Sequence, residues 1–228
     1  MPSLDLQVEL RGDATLGRGD GVAGLVDVEV EHDAATGLPF VRGRTLKGLL
    51  VEECGNILWS LQAQGASSEI QQRCQAAALQ LFGRPGSARE DTAGMTVGDG
   101  TLPANLTRAV RAEIQAGRLS AGEVLESLTT VRRQTAIDEE TGVPAQETLR
   151  AMRVVLRGAT FTAPLLFDSA PEPTDRALLA ACALGLRRLG TGRNRGRGLV
   201  TCRLIDGAAD VTRDDFTLFA ALLQEGAS

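Results

Sequence analysis

The order of segments predicts an α+β fold: β, α, β, β, α, β with insertions, the split-βαβ pattern of ferredoxin-like domains. Three observations carry it. Residues 4–10 and 157–167 alternate apolar and polar positions, as half-buried strands do. Residues 46–61 place Leu46, Leu50, Cys54, Ile57, Leu58 and Leu61 at helical spacing. A largely apolar helix over 176–189 then follows the 157–167 strand and leads to another strand over 199–205.

The remaining elements fill in around this frame. Residues 11–24 are rich in Gly and Asp and read as a loop, and 25–31 are strand-like. Asp33 to Gly37 form a tight turn, followed by a short apolar strand over 38–41. Thr45 is the expected N-cap of the first helix. A second helix covers 68–82, and a glycine-dense connection over 83–100 holds a short strand near Met95 and Val97. Residues 107–128 are mixed and weakly helical, and 131–155 form a hairpin. Pro171 and Pro173 precede Thr174 and Asp175 at a helix start, and Gly190 ends that helix. A last amphipathic stretch covers 216–223. DAATGLP (33–39) recurs as DEETGVP (138–144); both fit hairpin-turn chemistry and imply no duplicated function. With no low-complexity linker, residues 1–228 read as a single domain with a protruding hairpin.

Composition narrows the function. The chain is 43% hydrophobic, enough for a sizeable core. Aromatics make up 3% and tyrosine is absent, which weighs against a base-stacking platform. The net charge of −5 gives no global attraction to nucleic acid. The local distribution does: Arg187, Arg188, Arg193, Arg195 and Arg197 crowd one stretch, while Asp138, Glu139 and Glu140 lie elsewhere. The start, MPSLDLQVEL, lacks the regions of a signal peptide, and no apolar run is long enough to span a membrane. Cys54, Cys74, Cys182 and Cys202 form no CxxC pair, so a cytoplasmic protein with reduced thiols and no zinc is expected.

Two segments carry chemistry. The first is VDVEVEHDAATGLPFVRGRTLKG (26–48). It joins Asp27 on a strand to a helix start flanked by Arg42, Arg44 and Lys47. Backbone amides at a helix N-terminus beside cations suit a phosphate, and a first-turn lysine opposes the helix dipole unless an anion compensates. A carboxylate such as Asp27 can position a metal or take a proton. The second is GTGRNRGRG (190–198). It runs from helix to strand, the reverse of a dinucleotide fingerprint or P-loop. Gly192 and Gly196 alternate with Arg193, Arg195 and Arg197, a backbone able to wrap a phosphate chain with bidentate guanidinium contacts. A single histidine, His32, at a turn edge, allows no Ser-His-Asp arrangement.

These segments, with LFGRPGSAREDTAGMTVGDG (81–100) and VRRQTAIDEETGVPAQETL (131–149), resemble the RAMP superfamily of CRISPR proteins. The likeness is greatest to the backbone-forming subunit of type III effector complexes of the Csm kind. The resemblance implies a modified ferredoxin-like, RRM-like domain with an inserted thumb hairpin at about 130–155. It implies partners: CRISPR RNA, target RNA, other effector subunits, and further copies of the chain in a filament. Asp27 matches the family's cleavage aspartate, implying metal-dependent cutting of target RNA with Mg2+ as the expected ion. Lys47 and the 193–198 loop match guide-backbone contacts, joined by Arg42 and Arg44. Ile137 and Val143 flank the thumb turn as candidate wedges. The chain departs from the pattern where Glu29 stands in place of a proline, and where Arg42, Gly43, Arg44 and Thr45 replace Pro-Gly-Ser-Ser. A non-catalytic assembly subunit of the same kind is the alternative. A stand-alone processing endonuclease fits less well, since such enzymes often use histidine or tyrosine.

Overall fold

The computed structural model describes residues 2–17, 26–84, 93–134 and 150–225. Four strands build the centre of one antiparallel sheet: β1 (Ser3–Leu10), β2 (Met95–Val97), β5 (Thr160–Phe167) and β6 (Val200–Asp206). A two-residue strand, β7 (Ala209–Asp210), extends it, giving the order β2-β5-β1-β6-β7. Leaving out β7, this is the ferredoxin-like order, with each half of the chain contributing a strand to either side of the middle pair. The α+β expectation holds.

Alternation sets which face is buried. Leu4, Leu6, Val8 and Leu10 of β1 point into the core with Phe161, Ala163, Leu165 and Phe167 of β5 and Val200, Cys202 and Leu204 of β6. Full burial of such side chains stabilises by roughly 1.5–3 kcal/mol each before entropy is counted. Three helices supply most of the helical side of the same core: α1 (Gly43–Ala63), α2 (Ser68–Phe82) and α5 (Pro173–Gly185). The expectation that α5 is buried holds: Ala177 through Ala183 are all buried, because α5 packs against α1, α2, β6 and the C-terminal α6 (Thr212–Glu225).

Several boundaries differ from the sequence reading. α5 stops at Gly185, not at residue 189; Leu186 turns extended (φ −69°, ψ 92°). Leu186 and Leu189 stay 2% and 1% exposed, so the apolar periodicity outlasts the helix. Thr45 is not the N-cap of α1. Arg42 holds that position in an extended conformation without a side-chain cap, and Asp99 supplies the bond instead: its Oδ1 accepts from Gly43 N at 2.7 Å. Gly43 is required by packing, since a Cβ there would sit 2.1 Å from the Val97 carbonyl oxygen.

The weakly helical stretch is two helices, α3 (Ala104–Gln115) and α4 (Ala121–Leu128). A capping box between Ser120 and Glu123 starts α4. Residues 26–31 form isolated bridges rather than a strand: Val30 with Gly17, and Val28 with Met152. The hairpin stem is present as β3 (Thr129–Gln134) and β4 (Arg150–Val155), paired antiparallel from Thr129–Val155 to Gln134–Arg150 as a separate two-stranded sheet. Its tip, with Ile137, Val143 and the second copy of the turn motif, lies outside the described residues. The first copy is the expected turn: Asp33 Oδ1 accepts from Thr36 N at 2.9 Å, and Gly37 adopts φ 70°. Among the described residues, no helix is long and apolar enough to cross a membrane.

Candidate nucleic-acid interface

The start of α1 and the glycine–arginine loop face each other across a cleft of about 270 Å³. Arg42, Arg44 and Thr45 line one wall, and Gly190, Thr191 and Arg193 line the other. The loop reaches this place because two bridges pin its ends, Thr191 to Thr15 and Leu199 to Arg188. Between them runs one 3₁₀ turn, Arg193–Arg195, bounded by Gly192 (φ 72°) and Gly196 (φ 77°) in the left-handed region. These glycines shape the turn, and Arg193, Asn194 and Arg195 are exposed on it.

The cations divide into tethered and open ones. Arg42 donates to buried Glu31 and lies 5.6 Å from the Phe40 ring centroid. The Glu31 bond raises the Arg42 pKa above its ordinary value. Arg193 Nη1 donates to Glu52 at 3.0 Å. Arg197 is half-buried, with Nη1 3.4 Å from the Met152 sulfur. Arg44 and Arg195 are exposed and have no partner among the described residues. Lys47 does not line the cleft: it is the fifth residue of α1, not a first-turn residue, and its Nζ is 3.5 Å from the Met95 carbonyl. The Gly43 amide already donates to Asp99, so this helix end has less free donor capacity than the sequence suggests.

Asp27 is exposed and anchored to the hairpin stem. Its N donates to the Ala151 carbonyl at 2.8 Å, and its Oδ2 accepts from Ala151 N at 2.6 Å. Arg197 meets the next residue, Met152, so β4 brings Asp27 and the end of the glycine–arginine loop to neighbouring positions. Asp27 Oδ1 carries no bond among the described residues. Those residues hold no cluster of three or more His, Cys, Asp or Glu side chains fit for a metal. A single open carboxylate oxygen still suits Mg2+, which commonly takes one or two carboxylates and completes its shell with phosphate oxygens and water. His32 is turned to the backbone, with Nδ1 2.9 Å from the Val30 carbonyl.

Sequence reasoning missed the supports of this site. Glu29 is buried and paired with Arg153, Nε to Oε1, at 2.8 Å. Glu31 and Asp99 likewise hold Arg42 and the Gly43 amide. The signal available was a pair of carboxylates at alternate positions of an apolar segment, where buried charge demands a partner. The partner Arg153 is too distant in sequence for any local pattern to name it.

The sequence matches the family model described as "RAMP superfamily" over residues 16–201. No curated protein matches it significantly. Among solved structures, it is similar to a chain in "Type III-B Cmr-beta Cryo-EM structure of the Apo state", with TM-score 0.61, 14% identity, and coverage of 90% of this chain and 98% of that one. It is also similar to a chain in "Cryo-EM structure of the Type III-B Cmr-beta bound to cognate target RNA", with TM-score 0.62, 15% identity, and coverage of 94% and 99%. At such identities the likeness is one of fold.

Proposed function

Because the chain belongs to the RAMP superfamily, we propose that it is a guide-RNA-binding subunit of a type III CRISPR effector complex. The observation that supports this most is the cleft joining Arg42 and Arg44 to Arg193, in a protein whose net charge is −5. Concentrating cations there creates a local attraction for phosphate that the whole molecule lacks. Arg44 and Arg195 are open to bind phosphates, while Arg42 and Arg193 are pre-oriented by their carboxylate partners. Other effector subunits, a target RNA and further copies of this chain are the proposed partners.

The catalytic form of this reading assigns target-RNA cleavage to Asp27. Its Oδ1 would hold Mg2+ against the scissile phosphate, with Ala151 N fixing the carboxylate through Oδ2. The ion would neutralise charge on the phosphate being cut. The non-catalytic alternative is favoured by one observation: the single carboxylate is already engaged through one oxygen. The test is an assembled complex carrying Asp27→Ala, assayed with Mg2+ for target cutting and separately for target binding. Loss of cutting with binding intact supports the catalytic form. Unchanged cutting removes Asp27 from that role, and a wild-type complex that binds but never cuts leaves the assembly role. Failure of the protein to bind RNA at all would overturn the proposal.

A further inference from the structure

A second basic groove lies beside the glycine–arginine loop. It has a volume of about 700 Å³ and is lined by Arg11, Asp13, Arg132, Arg157 and Arg197, with Gly196 at its edge. Arg193 lines the α1 cleft and Arg197 lines this groove, so the loop separates two basic depressions. Four guanidinium groups face one carboxylate here, in a chain that is acidic as a whole.

Asp13 organises the groove. Its Oδ2 accepts from Arg132 Nη2 at 2.8 Å and from Arg132 Nε at 3.3 Å. Its Oδ1 accepts from Arg157 N at 3.2 Å, and its carbonyl accepts from Gly198 N at 2.9 Å. One residue therefore binds the hairpin stem, the turn before β5 and the glycine–arginine loop together. Among the described residues, Arg132 Nη1 and the Arg157 side chain have no partner. Arg11 is partly neutralised by Glu9 at 2.6 Å.

We propose that this groove is a second RNA phosphodiester site, in which Arg132 and Arg157 each take a phosphate and Asp13 acts as a positioning residue. The inference rests on the RNA-binding reading above and extends it from the glycine–arginine loop to Arg132 and Arg157, which that reading does not use. The phosphates could belong to the strand in the α1 cleft or to a strand paired with it, and the chemistry at the groove is the same.

The test uses the full chain and fluorescent RNA, with affinity measured from low to high salt. Arg157→Ala is the cleaner variant, because Arg157 is tied to Asp13 through its backbone. Arg132→Ala adds the second contact, and Arg132→Lys keeps charge but loses the bidentate pairing. Each phosphate contact contributes about 0.7 to the slope of log K against log salt for single strands, or about five-fold in affinity between 1 M and 0.1 M salt. The double Arg132→Ala/Arg157→Ala variant should lower that slope by between about 0.7 and about 1.4, since Asp13 already offsets part of the Arg132 charge, while Arg132→Lys should weaken binding with the slope near wild type. A loss with single-stranded RNA assigns the groove to the same strand. A loss only with RNA carrying an annealed complement assigns it to the second strand. If Arg44→Ala and Arg193→Ala weaken binding while the double variant matches wild type on both RNAs, the groove is not a phosphate site. If none of these variants changes binding, the RNA-binding reading itself falls.

Discussion

Replacing Arg153 by methionine should destabilise the fold and loosen Asp27 together. Arg153 is 19% exposed at its side chain and pairs at 2.8 Å with Glu29, whose side chain is 7% exposed. It also donates to Thr129 Oγ1 at 3.2 Å, and its N donates to the Val28 carbonyl at 3.0 Å. Arg153→Met leaves a buried carboxylate whose remaining donor among the described residues is the adjacent Val30 amide. Removing one partner of a buried pair costs about 3–5 kcal/mol, and the residual exposure of Arg153 places this case at about 3 kcal/mol. With a urea m value of roughly 3 kcal/mol/M, the unfolding midpoint should fall by about 1 M. The double variant Glu29→Met/Arg153→Met should recover most of this, since two packed apolar side chains replace a desolvated pair. Hydrogen exchange would localise the effect: the amides of Asp27 and Ala151, bonded across the same junction, should exchange faster in the single variant. A single variant with an unchanged midpoint, or a double variant no better than the single, would refute the reasoning.

Other predictions follow from neighbouring features. Gly43→Ala should cost about 3 kcal/mol, because the added Cβ meets backbone at 2.1 Å from Val97 O and 2.7 Å from Gly98 C, which no rotamer change relieves; a near-wild-type thermal midpoint would remove that contact from the account. All four cysteines are buried and the Cys202 thiol is pushed up to about 12 by burial, so Ellman's reagent should react slowly with native protein and fully in guanidinium; rapid native labelling would contradict the packing. Arg195→Ala should lower the salt slope of RNA binding by about 0.7, and Arg193→Ala by less, because Glu52 already offsets part of its charge; equal effects would dissolve the distinction between open and tethered arginines. Deleting residues 136–145 should leave a cooperatively folding protein, since the β3–β4 stem is its own sheet; loss of soluble protein would place the tip in the core.

The elements that were legible in the sequence are those whose burial follows a local period. β1, β5 and β6 alternate strictly because one face meets the helices, and α2 falls on the same residues by periodicity and by structure. The apolar period runs past the end of α5 because Leu186 and Leu189 stay in the core after the backbone leaves the helix. α4 does not stand apart by periodicity within the mixed stretch over 107–128, although its capping box, Ser120 with Glu123, stands in the sequence. Residues 26–31 looked like a strand because their apolar positions alternate, yet Glu29 and Glu31 are turned inward to arginines rather than outward to water. Arg42, Arg44 and Arg193 line one cleft, a proximity that their separation in sequence does not show. Lys47 does not line it, because the helix begins at Gly43, earlier than the Thr45 cap implied.

The carboxylates explain how an acidic chain can present a basic face in a fixed geometry. Glu31 holds Arg42, Glu52 holds Arg193 and Asp13 holds Arg132. Each pair spends some of the arginine's attraction for phosphate, since part of its charge is already balanced. In return the guanidinium loses rotamer freedom before ligand arrives, so less entropy is lost on binding. Arg44, Arg157 and Arg195 remain without such partners among the described residues and keep full charge for counterion release. A face built this way should bind RNA with a salt slope set mainly by the open arginines, while the tethered ones fix where the strand lies. Replacing a tether, as in Glu52→Gln, should then raise the salt slope without a matching gain in affinity at moderate salt. A gain in both would mean that the carboxylates merely compete with RNA and do not orient the arginines that bind it.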